Sequence, residues 1–121
     1  MTRLDEIRKL QDRTKRFAVS TIQFFSHLPK TEAARTIGRQ LLRSGTSVAA
    51  NYRAACRARS SADFISKISI VLEETDETLF WLELLVEADV VNPAQTKPLY
   101  IECEQLLKIF SASLATATAN R

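Results

Sequence analysis

Glycine, proline and histidine are nearly missing from this sequence, with 2, 3 and 1 occurrences among 121 residues. Two glycines leave no Gly-rich loop to cradle a phosphate, and five turn formers are too few for a β-sandwich. One histidine removes His-based metal sites and most general-base schemes. The two cysteines, Cys56 and Cys103, lack a CxxC or metal-ligand spacing. They read as buried or half-buried thiols of a reduced compartment. Long apolar runs are also lacking: charge interrupts each stretch far short of a bilayer span. The segment Met1-Thr2-Arg3-Leu4-Asp5-Glu6 has no apolar signal region. A cytoplasmic protein with no membrane partner and no cofactor is expected.

What is present describes one globular domain. Hydrophobic residues make up 45% and charged residues 26%, a balance that supports one modest core in a chain of this length. The net charge of +3 conceals a polarity. Residues 1–58 hold 12 Lys and Arg against 4 Asp and Glu, a net of +8; residues 59–121 hold 5 against 10, a net of −5. Such polarity suits intramolecular pairing, head-to-tail assembly, or an anionic partner on the basic half.

Apolar periodicity predicts four helices. The first spans about 5–26, with Leu4, Ile7, Leu10, Thr14, Phe17, Thr21, Phe24 and Leu28 along its core stripe, and Leu28-Pro29 ends it. Thr31 caps a second helix over about 32–57. Ser60 and an acid in the first turn open a third over about 61–89. Asn92-Pro93 makes the last turn before a fourth over about 94–114, with Pro98 as the place for a restart. Residues 115–121 have little to bury and are expected to fray. Short connections between amphipathic helices imply an all-α, up-down-up-down four-helix bundle in a single domain, residues 1–121.

Helix two carries two distinct lanes. At about 100° per residue, Arg35, Arg39, Arg43, Arg53 and Arg57 share an arc of about 80°. They extend over about 33 Å of axis. Ile37, Leu41, Val48, Tyr52 and Ala55 lie opposite and face the core. Guanidinium forks bind phosphate bidentately and stay charged, so the arc is a candidate nucleic-acid-binding ridge. No aromatic residues interleave it, which favours recognition by charge and shape over base stacking. A solvated face, or one paired with an acidic helix, is the plainer alternative. The second lane, Gly38, Gly45, Ala49 and Cys56, consists of small residues. Glycine inside a helix costs about 0.5–1 kcal/mol relative to alanine, so close approach of another helix is its expected reason, with a kink at Ser44-Gly45 as the alternative.

Helix three carries surplus apolar surface. Phe80, Trp81, Leu84 and Leu85 are expected to point away from the core stripe, which marks them as an oligomer interface. Its acids Glu73, Glu74, Asp76 and Glu77 cannot make the Glu-x-x-His pairs of a di-iron bundle, because His27 is the sole histidine. They are expected to pair with arginines across helices or between subunits. His27 closes helix one as a dipole partner. Ser44, Thr46, Ser47 and the cysteines have no base partner in the sequence, so no enzyme is expected.

The run Leu41-Leu-Arg-Ser-Gly-Thr-Ser-Val-Ala-Ala-Asn51-Tyr-Arg-Ala, then Arg57-Ala-Arg-Ser-Ser-Ala-Asp63-Phe-Ile-Ser-Lys67, resembles the four-helix-bundle proteins of the 23S rRNA intervening-sequence family. Leu72 to Leu85 and Phe17 to Pro29 fit the same pattern, so the resemblance covers roughly residues 10–110. It implies a bacterial, non-enzymatic bundle that assembles into a barrel-like homopentamer. Some such proteins are encoded within insertions in 23S rRNA genes. A related branch comprises accessory proteins of diversity-generating retroelements, which bind nucleic acid and a reverse transcriptase. The resemblance therefore implies RNA or DNA, or a protein such as a reverse transcriptase, as partner. In the commoner motif Asn is followed by Ile-Ala-Glu-Gly; here Tyr52-Arg53-Ala54-Ala55 replaces an acid and adds a cation.

Overall fold

The computed structural model describes all of residues 1–121 and contains four helices: α1 (Arg3–Ser26), α2 (Glu32–Ala55), α3 (Ser61–Glu87) and α4 (Pro93–Ala119). Each begins where a short polar side chain takes up an orphan backbone donor. Thr2 accepts from the Asp5 amide at 3.2 Å while the Asp5 carboxylate accepts from the Thr2 amide at 3.1 Å, a reciprocal capping box. The Thr2 amide and then the Thr2 hydroxyl, which donates to the same carboxylate at 2.8 Å, hold the Asp5 carboxyl below its ordinary value. Thr31 accepts from Ala34, Ser60 from Asp63, and Asn92 from Gln95. Consecutive helices run antiparallel side by side, and α1 and α4 close the bundle through their thinnest seam.

α1 starts at Arg3 rather than at about residue 5, on the Thr2 cap, and three further boundaries differ from the sequence expectation. α2 stops at Ala55 rather than Arg57, because the Arg57 and Ala58 amides bond back three residues, to Ala54 and Ala55. α3 stops at Glu87 rather than Asp89: Asp89 adopts the left-handed region at φ 58°, and the Val90 and Val91 amides fold back onto the Leu85 carbonyl. The third difference is larger. α4 runs unbroken through Pro98 and continues to Ala119, so there is no restart and residues 115–119 are helical. Pro98 lies in the second turn, where its missing amide removes one bond to the Ala94 carbonyl without ending the helix. The tail beyond it is anchored by Leu114, half-buried against the core, and by alanines that favour helix.

The core gathers Phe17 of α1, Leu41, Val48, Tyr52 and Ala55 of α2, Ile68, Val71, Leu82 and Leu85 of α3, and Leu99, Cys103, Leu106 and Phe110 of α4. Tyr52 and Phe110 meet with ring centroids 5.4 Å apart. Of the expected α1 stripe, Thr14, Phe17 and Thr21 are buried, Ile7, Leu10, Phe24 and Leu28 half-buried, and Leu4 exposed near the chain end. Ile37 is likewise half-buried. Buried hydroxyls satisfy themselves locally: Thr14 donates to Gln11 O, Thr21 to Phe17 O and Thr75 to Val71 O. No buried side-chain polar atom lacks a partner.

α1 and α2 approach closely at the two glycines. A Cβ placed on Gly45 would lie 2.7 Å from Thr21 Cγ2, and one on Gly38 would lie 2.6 Å from Leu28 Cδ1. The α2 helix passes through Ser44-Gly45 without interruption. Across the opposite seam, Arg13 grips Glu102 with both nitrogens, at 2.7 and 2.8 Å, and also donates to Gln105 at 2.7 Å.

Candidate nucleic-acid interface

Arg35, Arg39, Arg43 and Arg53 of α2, and Arg57 just beyond its end, are all exposed, but they do not form one equivalent row. Arg43 leans toward α3, where one nitrogen lies 3.3 Å from Glu74 and another 2.6 Å from Glu77. The Glu77 bond, then the charges of Glu74 and Glu77, push its pKa up from the ordinary value. Glu77 also accepts from Trp81 Nε1 at 3.2 Å, so Arg43, Glu77 and Trp81 form one strut between the helices. Glu74 and Glu77 are thereby spent on a guanidinium rather than gathered around a metal, and no group of three His, Cys, Asp or Glu side chains converges as a metal would need.

Arg35, Arg39, Arg53 and Arg57 have no carboxylate within salt-bridge distance. With Arg43 withdrawn, the ridge becomes two cationic pairs, one at each end of α2. Sequence spacing places both pairs on one arc but cannot show which neighbour Arg43 leans toward.

The pair at the C-terminal end has further company. Arg53 and Arg57 border a recess of about 370 Å³ between α2 and the N-terminal half of α1, with Lys15 on the far wall. Ala49 and Ala50 line it with small side chains, and Gln11 and Asp12 complete the α1 side. Sequence reasoning missed Gln11, Asp12 and Lys15. Their polar spacing on α1 is visible in the sequence, but which helix they face is not.

The small-residue lane divides in two. Gly38 and Gly45 lie under α1 side chains, whereas Ala49 lines the recess. Cys56 is half-buried at the end of α2 beside Tyr52. Burial first, and then the Cys56 thiol, push the Tyr52 phenol above its ordinary pKa. The Tyr52-Arg53 departure from the common family motif thus supplies one core ring and one recess cation.

The α3 surface needs one correction. Phe80 is 51% exposed, and Trp81 and Leu84 are half-buried. Leu85, by contrast, is fully buried within the chain's own core. Its position lies close enough to the α3 core arc, beside Val71 and Leu82, to turn inward, so it is not part of an outer interface. Phe80 and Trp81 contact edge to face at 5.0 Å, next to exposed Ile70, Glu73 and Asp76. His27 caps α1, with Nδ1 2.8 Å from the Gln23 carbonyl oxygen. The hydroxyls of Ser44 and Thr46 donate to carbonyls of their own helix. No helix is long and apolar enough to cross a membrane.

Comparison with known proteins places this architecture. No curated protein matches the chain. Among solved structures, a crystal structure of a protein of unknown function from the S23 ribosomal protein family of Bacteroides thetaiotaomicron matches with a TM-score of 0.80 and 34% identity. The match covers 86% of this chain and 96% of that one. A family model described as 23S rRNA-intervening sequence protein matches residues 8–112. Four helices, their bundle packing and a family match over most of their length agree: the chain belongs to the 23S rRNA-intervening sequence protein family.

Proposed function

We propose that this chain is a non-enzymatic, self-associating helical bundle that binds RNA or DNA backbones through Arg35, Arg39, Arg53 and Arg57, with Arg43 as a structural strut. One observation carries the reading: these four guanidiniums stand exposed and unpaired in a chain that has 14 carboxylates available. Unpaired arginine forks on a rigid helix favour phosphate ligands. Two pairs, one toward each end of α2, suit a polyanion better than a small anion. The family description makes 23S rRNA the first ligand to try. Self-association rests on the exposed Phe80 with Trp81 and Leu84, and a pentamer is the assembly that the family resemblance implies. A protein-binding scaffold with internally paired arginines has support only at Arg43.

Anisotropy titrations of labelled duplex RNA and duplex DNA at 50 and 200 mM salt test this reading. Four phosphate contacts predict a log–log salt slope near −3.6, or roughly a 100-fold loss over that interval. Replacing all four arginines by glutamine should weaken low-salt binding by about 100-fold, while Arg43→Gln should change it less than about threefold. Absent binding at 50 mM, or wild-type affinity in the fourfold variant, overturns the proposal.

A further inference from the structure

The recess between α1 and α2 contains an apparent contradiction. Lys15, Arg53 and Arg57 make it a seat for an anion, yet Asp12 shares it. The Asp12 carboxylate forms no salt bridge with these cations. It is also outside the chain's own side-chain hydrogen bonds, as is the Gln11 amide, whereas the neighbouring Arg13 is fully engaged with Glu102 and Gln105. A carboxylate beside a plain phosphate would only weaken its binding. Both signs fit together for a ligand that carries an anionic group and hydrogen-bond donors side by side.

We infer that this recess is a nucleotide site, in which Lys15, Arg53 and Arg57 hold the phosphate while Asp12 and Gln11 read the edge of an unpaired base, with guanine preferred. The inference rests on the nucleic-acid reading above and names what one end of that surface takes. An ionised carboxylate only accepts hydrogen bonds. Guanine offers adjacent N1–H and N2–H donors to its two oxygens, whereas uracil presents one N–H flanked by carbonyls that repel it. Unpaired bases are read on this edge. The Ala49 and Ala50 methyl groups supply a small apolar surface for the face of the base. The volume of about 370 Å³ lies at the lower end of the range of small-ligand sites.

Guanosine 5′-monophosphate, uridine 5′-monophosphate and inorganic phosphate, titrated separately against the full chain, test the site. The amide NMR shifts of Ala49 and Ala50 provide the readout. The guanine nucleotide should bind about tenfold more tightly than the uracil one, the scale of a bidentate base contact. Asp12→Asn should reduce that ratio to below about twofold and leave inorganic phosphate bound as well or better. Arg53→Gln with Arg57→Gln should weaken all three. Equal binding of the two nucleotides, or a preference that survives Asp12→Asn, overturns the inference. Competition distinguishes the source: displacement by an oligoribonucleotide with an unpaired terminal guanosine assigns a strand end, and its absence assigns a free nucleotide. Duplex binding that persists while the nucleotides leave Ala49 and Ala50 unshifted removes this site and leaves the backbone reading intact. Nucleotide binding without duplex binding does the reverse.

Discussion

The two halves of the bundle differ in the sign of the charge they leave free and in how their seams are held. The α1–α2 half keeps most of its cations free and holds its helices together by steric fit at Gly38 and Gly45. The α3–α4 half pairs four of its ten acids: Glu74 and Glu77 on Arg43, Glu102 on Arg13, Asp63 on Lys67. Its seam is more polar, with Cys103 Sγ 3.3 Å from the Thr75 carbonyl oxygen. Only Arg13 and Arg43 reach across from the basic half to the acidic one. The surplus of positive charge therefore stays on the α1–α2 face because only two of its arginines are angled to cancel it.

The largest expected effect comes from the steric seam. Gly45→Leu drives a side chain into Thr21, which is β-branched, buried and tied to Phe17 O. Thermal or denaturant unfolding should show a loss of about 3 kcal/mol, at the upper end of overpacking costs. Gly38→Ala is the sharpening control. Its Cβ would meet the flexible end of Leu28 at 2.6 Å, which can rotate away, and the Phe25 ring at 3.1 and 3.2 Å, which must give by a few tenths of an ångström; alanine gains about 0.5–1 kcal/mol of helix propensity. That variant should fall within about 0.5 kcal/mol of wild type. Equal losses at the two glycines would contradict the notch geometry.

The α3–α4 seam should fail at alkaline pH. Burial, then the charges of Asp76, Glu102 and Glu104, push the Cys103 thiol up to about 12 from an ordinary 9.0. Above pH 9 the unfolded chain releases this proton while the folded chain keeps it, so stability is full below 9 and declines toward 12. One such proton contributes a slope of up to about 1.4 kcal/mol per pH unit. Chemical denaturation at pH 8, 9 and 10 should show this slope, less one proton's share in Cys103→Ala. An identical slope in that variant would place the loss elsewhere, with the Tyr52 phenol next to be tested.

The smallest effect belongs to the strut. Arg43 is half exposed, so Arg43→Gln should cost less than about 1 kcal/mol, and the difference should shrink in 1 M salt. A larger, salt-insensitive loss would mean that Arg43 acts through packing.

Helix number and order, and the caps at Thr31 and Ser60, were legible from the sequence because each rests on local chemistry within four residues; the caps at Thr2 and Asn92 were not read. The small-residue lane was legible for the same reason, since two glycines on one arc of a helix need a steric cause. Contacts between helices were harder to read. The withdrawal of Arg43, the inward turn of Leu85 and the placing of Arg53 and Lys15 on one recess depend on a few tens of degrees of rotation between helices, finer than an ideal 100° wheel resolves. The length of α4 was underestimated because Leu114 finds a tertiary partner that the Ala-Thr tail does not advertise.

The local satisfaction of the buried threonines has a mechanical consequence. Because Thr14, Thr21 and Thr75 bond carbonyls of their own helices, sliding one helix along another by a turn would break none of those bonds. Lengthwise register therefore depends on a few keyed points. Thr21 seated on Gly45 indexes α1 against α2, and the Thr78 hydroxyl, 2.9 Å from Ser44 Oγ, indexes α2 against α3. The bundle resembles smooth rods held in step by a few dowels: removing a dowel would leave it helical and compact but free to settle a turn out of step.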